Sequence, residues 1–179
     1  MRTKQKAAVR AEQRLVRERI EALHDARALA IELARGVPTL RFDPMTAGVV
    51  LQQGEAVYRR VPIWLRVQDC GRWADASSAD VLVTDLRLLC RFASGGLTSQ
   101  WWNGVVGLNV DLAAEHIVLD YGDGQPVNVS GVQVAPISVV AIAAVYGTHA
   151  LVGHPALASL RATSPAWGLP QLHQDEPHG

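Results

Sequence analysis

The apolar residues near the start of the chain recur with the period of an α-helix. They follow one another at intervals of seven, four and three residues, so they share one face of a helix, while Arg10, Arg14 and Glu21 fall on other faces. The stripe consists of Val9, Val16, Ile20, Leu23, Ala26, Ala30 and Leu33. We therefore predict an amphipathic helix over residues 3–35.

The length of this helix raises two hypotheses about its stripe. A helix of roughly 33 residues is about 50 Å long, which exceeds the width of the small domain that follows it. The stripe can pack along its own domain, or it can pair with a second chain in a coiled coil or dock on a protein partner. The heptads are few and rich in alanine, so periodicity alone leaves both hypotheses open.

The pattern changes after the helix. Gly36, Pro38 and Pro44 end it and predict a linker over residues 36–48, because proline cannot continue the helical hydrogen-bond ladder. Beyond Gly48, short runs with a period of two predict about seven antiparallel strands. The runs cover residues 56–61, 63–67, 80–84, 86–92, 99–102, 105–112, 116–121 and 127–130.

The alternation assigns faces to these strands. One face of the 86–92 run carries Leu86, Leu88, Cys90 and Phe92, and the other carries Arg87 and Arg91. In the 105–112 run, one face carries Val106, Leu108, Val110 and Leu112. Gly122-Asp123-Gly124 separates the last two runs and predicts a hairpin, since an Asp-Gly pair supports the positive φ angles of such turns.

The period returns to that of a helix near residue 138. Ser138 can cap a helix with Val139, Ile142, Ala143, Tyr146 and Ala150 on one side. A second short helix is predicted from His154-Pro155 to Arg161. The expected division is a helix at 1–35, a linker at 36–48, a domain at 49–164 and a loose tail at 165–179.

Charge is uneven although the formal net charge is zero. The first 35 residues contain nine Lys or Arg and five Asp or Glu, which leaves a net acidic remainder. This distribution suits a solvated helix face, and it also suits contact with nucleic acid or an anionic membrane. No recognised nucleic-acid motif is present, so nucleic acid is the weaker hypothesis.

Several features indicate a cytoplasmic protein. Cys70 and Cys90 are the only cysteines and have no metal-ligand spacing, so we expect reduced, partly buried thiols, with one disulfide as the alternative. The basic N-terminus continues as a charged helix without the apolar region of a signal peptide. The longest apolar run, 132–145, is too short to span a bilayer.

The sequence contains no catalytic, cofactor or metal motif that we would defend. There is no G-x-S-x-G, and His149 and His154 are five residues apart, which suits neither one helical face nor a zinc site. We therefore expect a protein that is not an enzyme and holds no cofactor.

The strands resemble a known family. Gly54-Glu55, the VLVTDLRLL segment at 81–89, the tryptophan-led strand at 102–110 and HIVLDYGDGQPVNVSG at 116–131 are similar to bacterial GRAM/PH-like domains. Thr84-Asp85-Leu86-Arg87-Leu88 resembles their T-x-x-R-L strand corner. The resemblance covers roughly residues 48–150.

The resemblance implies an α+β fold: a pleckstrin-homology-like barrel of about seven antiparallel strands, capped by a C-terminal helix and here preceded by the long N-terminal helix. Members of the superfamily bind phosphoinositides, peptides or proteins, or have no known ligand, so the fold does not decide among these. Phosphoinositide binders place several Lys or Arg in the first hairpin loop. This chain departs from that pattern, because Lys is absent after residue 6 and only Arg59, Arg60 and Arg66 lie near the first strands.

The adjacent tryptophans are the best candidates for a partner surface on the barrel. Trp101 and Trp102 follow each other in a predicted strand, so only one enters the core and the other is covered by the N-terminal helix or exposed. An exposed tryptophan beside arginines suits a binding surface. The predicted partner-binding residues are Arg87, Arg91, Trp101, Trp102, Val16, Ile20 and Leu23.

Two functional hypotheses follow. The first is a non-catalytic binding or adaptor module that uses its long helix for self-association or for docking to a protein partner. The alternative is peripheral binding to an anionic membrane through basic residues of the helix, each worth about 1 kcal/mol at most. These residues are Lys4, Lys6, Arg10, Arg14 and Arg17.

Overall fold

The structure, a computed structural model, describes residues 2–36 and 40–162. The described elements are α1 (Arg2–Ala34), α2 (Pro44–Ala47), β1 (Val57–Asp69), β2 (Arg72–Trp73), β3 (Ser77–Thr84), β4 (Arg87–Phe92), β5 (Leu97–Trp101), β6 (Gly107–Asp111), β7 (His116–Asp120), β8 (Val127–Ser130), α3 (Val134–Tyr146), α4 (Ala150–Gly153) and α5 (Ala158–Ala162). Short 3-10 turns lie at Trp102–Gly104 and Pro155–Leu157. The predicted tail at 165–179 lies outside the described residues.

The strands form one antiparallel sheet in the order β5-β4-β3-β1-β8-β7-β6, and β2 pairs with the end of β1. The long β1 connects the two halves of this sheet. It pairs with β3 along Val57–Leu65 and with β8 along Trp64–Val67. This topology, followed by α3, is consistent with a PH-like barrel and confirms the predicted α+β fold class.

The core lies between the sheet and α3. Alternate residues of β1, namely Val61, Ile63 and Leu65, face inward together with those of β3, β4, β7 and β8. Every residue of α3 from Val134 to Ile142 is buried. A helix that is apolar on all sides belongs in an interior, so α3 has no amphipathic face of the kind that the sequence pattern predicted.

The start of α3 corrects the prediction at Ser138. The helix begins at Val134, and the buried Ser138 Oγ donates a hydrogen bond of 2.8 Å to the Val134 carbonyl inside the helix. The sequence pattern missed this start because proline, here Pro136, usually interrupts a helix. Proline is tolerated in the first turn, however, because N–H groups there have no intrahelical acceptor. The short helical segment predicted after His154 does begin at Pro155.

Two predicted strand boundaries also differ. The runs at 56–61 and 63–67 are one strand, β1, and Pro62 is accommodated because β8 pairs with β1 only from Trp64 onward. Val106 was expected to share the inward face of its strand, but it is 72% exposed. The reason is that a 3-10 turn interrupts the chain before β6 and leaves Val106 against the turn at Gly122. Leu108 and Val110 do pack on the core, and the hairpin between β7 and β8 is confirmed.

Helix α1 has a packed half and a projecting half. From Ala22 onward it packs against α3, with Ala26, Leu29 and Ala30 fully buried. The small alanines allow the two helices to approach closely. Residues 5–21, which we call the projecting half, are all exposed except the half-buried Glu18. Packing along its own domain is therefore confirmed for the half from Ala22 onward, and pairing or partner docking stays a hypothesis for the projecting half.

Ion pairs fasten α1 to the barrel. The Arg59 guanidinium of β1 binds Asp25 at 2.8 Å and Glu32 at 3.0 Å, and Arg27 Nε donates to the Leu160 carbonyl at 3.0 Å. Arg19 pairs with Glu115 in the turn between β6 and β7. In the described part of the chain, no helix combines the length and apolarity needed to cross a bilayer.

Candidate functional site

A buried ion pair lies at the corner between β3 and β4. Arg87 binds both carboxylate oxygens of Glu55, with Nε–Oε1 and Nη2–Oε2 distances of 2.9 Å. Thr84 Oγ1 donates to Glu55 Oε1 at 2.8 Å and accepts from the Arg87 backbone N–H at 2.9 Å. We call Glu55, Thr84 and Arg87 the corner cluster. It ties the segment before β1 to the turn between β3 and β4.

Two opposing effects act on the Glu55 carboxyl. Burial raises its pKa, whereas hydrogen bonds from Arg87, from the Gln52 N–H and from Thr84 lower it, and the net pKa lies below the ordinary value. Glu55 is therefore ionised at neutral pH and its charge is balanced by Arg87. The principal polar groups of the corner cluster already have hydrogen-bond partners, so the cluster leaves none of them available for a ligand or a reaction.

Arg87 lies on the outer face of β4 that the alternation assigns to it, but the structure contradicts its expected exposure. The residue is only 6% exposed, since Glu55 and the Val50 carbonyl hold its guanidinium. In the sequence, Gly54-Glu55 stands out only as part of the resemblance to the family. The pairing of a carboxylate with an arginine 32 residues later has no sequence periodicity that could reveal it.

The tryptophans separate as predicted. Trp102 is 3% exposed, and its Nε1 donates to the Thr84 carbonyl at 3.0 Å. Trp101 is half-buried, and the Arg87 guanidinium lies 4.4 Å from its ring centroid. A cation at this distance stabilises the ring electrostatically. Trp101 is therefore held in place from one side by the corner cluster, whereas Trp102 is a core residue.

The outer face of β3 and β4 is covered by the chain itself. Leu82 and Leu89 point outward with Val57, and Phe42, Val49 and Leu51 pack on them. Arg91 is exposed, but its Nη2 donates to the Ala47 and Gly48 carbonyls at 2.6 and 3.1 Å. The predicted open face around Arg87 and Arg91 is thus occupied by the segment at 40–51. The sequence signal for this cover is the pair of apolar residues Leu82 and Leu89 at outward positions of β3 and β4.

The projecting half of α1 presents an apolar row beside a basic row. Val9, Val16 and Ile20 are 47%, 50% and 51% exposed. The exposed basic residues Lys6, Arg10, Arg14 and Arg17 follow the neighbouring side of the helix, and Lys4 lies in its first turns. Leu23, predicted to belong to the same surface, is half-buried against the core. The apolar row therefore leaves the domain at about this residue.

A groove of about 480 Å³ lies between β5 and the hairpin that joins β7 to β8. Its walls carry the Trp101 indole, the Tyr121 ring and mostly neutral polar side chains, namely Ser99, Gln100, Asn103 and Gln125, with Asp123 as the charged one. The Tyr121 hydroxyl is buried without a hydrogen-bond partner, and burial raises its pKa. Sequence reasoning missed this groove, because it forms between segments far apart in the chain.

Within the described residues, the two cysteines and His154 are further groups of chemical interest. Burial raises the pKa of the Cys90 thiol to about 12, whereas Cys70 is exposed rather than partly buried, and both are free thiols. Burial lowers the pKa of His154, and the positive charge of Arg161 lowers it further. Within 2–36 and 40–162, no three His, Cys, Asp or Glu side chains are grouped as metal ligands.

No protein-family model, curated protein or solved structure matches the chain. The resemblance to GRAM/PH-like domains stays a prediction.

Proposed function

We propose that the protein is a non-catalytic adaptor that self-associates through the projecting half of α1, in a parallel two-stranded coiled coil. The observation that carries this proposal is the apolar row of Val9, Val16 and Ile20, which continues beyond the domain at roughly half exposure. Apolar residues at helical spacing on a projecting helix favour a helical partner.

The row fits a heptad register. Val9 and Val16 take one core position, and Lys6, Gln13 and Ile20 take the other. The next residue of the first set, Leu23, already packs against its own domain, so the seam ends before it. The long Lys6 side chain can carry its charge to solvent while its stem covers the core. Gln13 is the single polar residue in the middle of the seam, and such a residue specifies register at a cost in stability.

Charge complementarity favours the parallel arrangement. In a parallel pair, Glu12 of one chain faces Arg17 of the other, and Gln13 faces Gln13. An antiparallel pair would instead bring Arg10 against Arg17, which is repulsive. A second copy of this chain therefore provides the matching surface that the basic helix requires.

The attached domain does not obstruct the seam. At about 100° per residue, the row of Val9, Val16 and Ile20 lies roughly 130° around the helix axis from the face that Ala22, Ala26 and Leu29 pack on α3. Two copies can therefore pair along their projecting halves with the two domains on opposite sides.

Light scattering after size-exclusion chromatography, over a wide range of protein concentration, tests the proposal. We expect a concentration-dependent dimer that Ile20→Asp abolishes. Ala11→Asp is the matched control, since it adds the same charge at an exposed position on the opposite side of the helix. A protein that stays monomeric at every concentration, or two variants that behave alike, would overturn the proposal.

A disulfide test checks the parallel register. In a Cys70→Ser background, Gln13→Cys should form an intermolecular disulfide under mild oxidation, because the buried Cys90 does not compete. Lys6→Cys should also cross-link, whereas Arg14→Cys, on the outer side of the helix, should cross-link far less. Equal cross-linking at all three positions would contradict a specific seam.

The basic row supports a second candidate function, peripheral binding to an anionic membrane. Lys6, Arg10 and Arg17 flank the apolar row and Arg14 lies further around the helix, and each contributes at most about 1 kcal/mol near an anionic surface. Sedimentation with phosphatidylcholine vesicles, with and without phosphatidylglycerol, tests it. A monomer that sediments only with the anionic vesicles, and loses this on Arg10→Ala with Arg17→Ala, would replace the coiled-coil proposal.

A further inference from the structure

The edge strand β5 borders an open groove. It ends the order of the sheet and pairs only with β4 within the described residues, while β6 ends the other side. The groove of about 480 Å³ lies directly beside Ser99, Gln100 and Trp101. The barrel is therefore open along this line, and one wall of the opening is a strand edge.

The hydrogen-bond alternation shows which backbone groups point into the opening. Phe92 N–H bonds to the Gly96 carbonyl and Trp102 N–H to the Leu86 carbonyl. With the register Leu89–Ser99, the residues of β5 that exchange hydrogen bonds with β4 are therefore Thr98 and Gln100. The N–H groups of Leu97, Ser99 and Trp101 and the carbonyls of Leu97 and Ser99 point away from β4, toward the free edge.

We propose that β5 binds an extended peptide segment of a partner protein, which adds to the sheet as a further strand in this groove. Unpaired strand edges form backbone hydrogen bonds with an added strand, and adjacent pockets select its alternate side chains. The edge is not blunted by proline or lysine, which are absent from Leu97–Trp101.

The groove determines the chemistry of the peptide. Its polar walls are carboxamides of Gln100, Asn103 and Gln125, with Trp101 and Tyr121 as flat apolar surfaces. No Lys or Arg lines it and its charged lining residue is Asp123, so an acidic segment is disfavoured there. We infer a segment with uncharged side chains, small polar and aliphatic in alternation, whose hydroxyl or amide groups can pair with the carboxamides.

The corner cluster prepares the groove for this role. Arg87 holds the Trp101 ring at 4.4 Å and donates to Ser99 Oγ at 3.1 Å, so it supports two lining residues at once. Because Arg87 is itself fixed by Glu55, these residues need little reordering on binding. A wall fixed in advance lowers the entropic cost of association.

The test begins by selecting, from a phage-displayed library of random peptides, those that bind the intact chain. The enriched peptides are then synthesised. Fluorescence polarisation measures their affinity. Ser99→Pro removes the central edge N–H without touching a hydrogen bond to β4, and we expect it to weaken binding at least tenfold. Ser99→Ala removes only the hydroxyl and its Arg87 contact and keeps the edge N–H, so the loss of affinity in Ser99→Pro beyond that in Ser99→Ala measures the backbone hydrogen bond.

Hydrogen exchange on the unmodified protein gives a second readout that does not depend on how the variants fold. Peptide binding should slow the exchange of the Leu97, Ser99 and Trp101 amides, whereas Thr98 and Gln100 are already bonded to β4 and should change little. The proposal is overturned if no peptide is enriched, if the enriched peptides tolerate Ser99→Pro, or if protection falls on β6 or α1 instead.

Discussion

At the scale of single residues, the corner cluster shows how a buried charge is kept at low cost. The Glu55 side chain is 0% exposed and that of Arg87 is 8% exposed, yet the bidentate contact and Thr84 satisfy the carboxylate. Removing one member of such a pair costs more than the pair contributes, because the other charge is then buried alone. The cluster is thus a sensitive point of the fold.

Arg87→Met should therefore destabilise the protein by about 3–5 kcal/mol. The methionine fills part of the space but leaves the Glu55 carboxylate without its cation. Urea unfolding followed by circular dichroism measures the change. The double variant with Glu55→Met should recover part of the loss, because no unpaired charge remains. Equal stability of the single variant and the unmodified protein would show that Glu55 is not ionised there.

The same carboxylate should weaken the fold in acid. The pKa of Glu55 in the folded state lies below its ordinary value of 4.5, so the folded protein binds fewer protons than the unfolded chain near that pH. Its contribution is fully present above pH 4.5 and is lost as the pH falls through the folded pKa. We expect the stability difference between the unmodified protein and Glu55→Gln to shrink in urea titrations below pH 4.5. A difference that does not vary with pH would contradict this.

At the scale of elements, the sequence predicted individual helices and hairpins well, but it did not predict which elements pack against each other. The helical recurrence of apolar residues from Val9 to Leu33 predicted α1, and Asp123-Gly124 predicted the last hairpin, because both depend on neighbours along the chain. The same recurrence could not say that Ala26 packs on α3 while Ile20 remains exposed. That difference depends on where the domain ends, which no local period contains.

The candidate sites follow the same division. The apolar row of the projecting half was predicted, since residues such as Val16 lie on a regular helix, but its exposure was left open. The groove beside β5 was not, because it joins Trp101 to Gln125 across two separate hairpins. Arg87 was placed on the correct face of β4 by alternation, but the cover formed by residues 40–51 turned that outer face into a small second core.

At the scale of the whole molecule, the two halves of α1 contribute very differently to the fold. Residues from Ala22 onward complete the core, where Leu29 is fully buried. The projecting half contributes to its own domain mainly through the Arg19–Glu115 pair, in which Arg19 is 55% exposed. Exposed ion pairs contribute about 1 kcal/mol or less. Folding and the proposed self-association therefore depend on different parts of α1.

Two truncations test this separation. Deleting residues 2–20 should leave the urea midpoint nearly unchanged at low protein concentration, where association does not add to stability. Deleting residues 2–34 also removes Leu29, which alone is worth about 2–5 kcal/mol in a core, and leaves Arg59 without Asp25 and Glu32. We expect the longer truncation to bind a hydrophobic dye and to lose cooperative unfolding. If the shorter truncation is equally damaged, the projecting half belongs to the fold, and if both remain intact, the packing of α1 on α3 adds no stability.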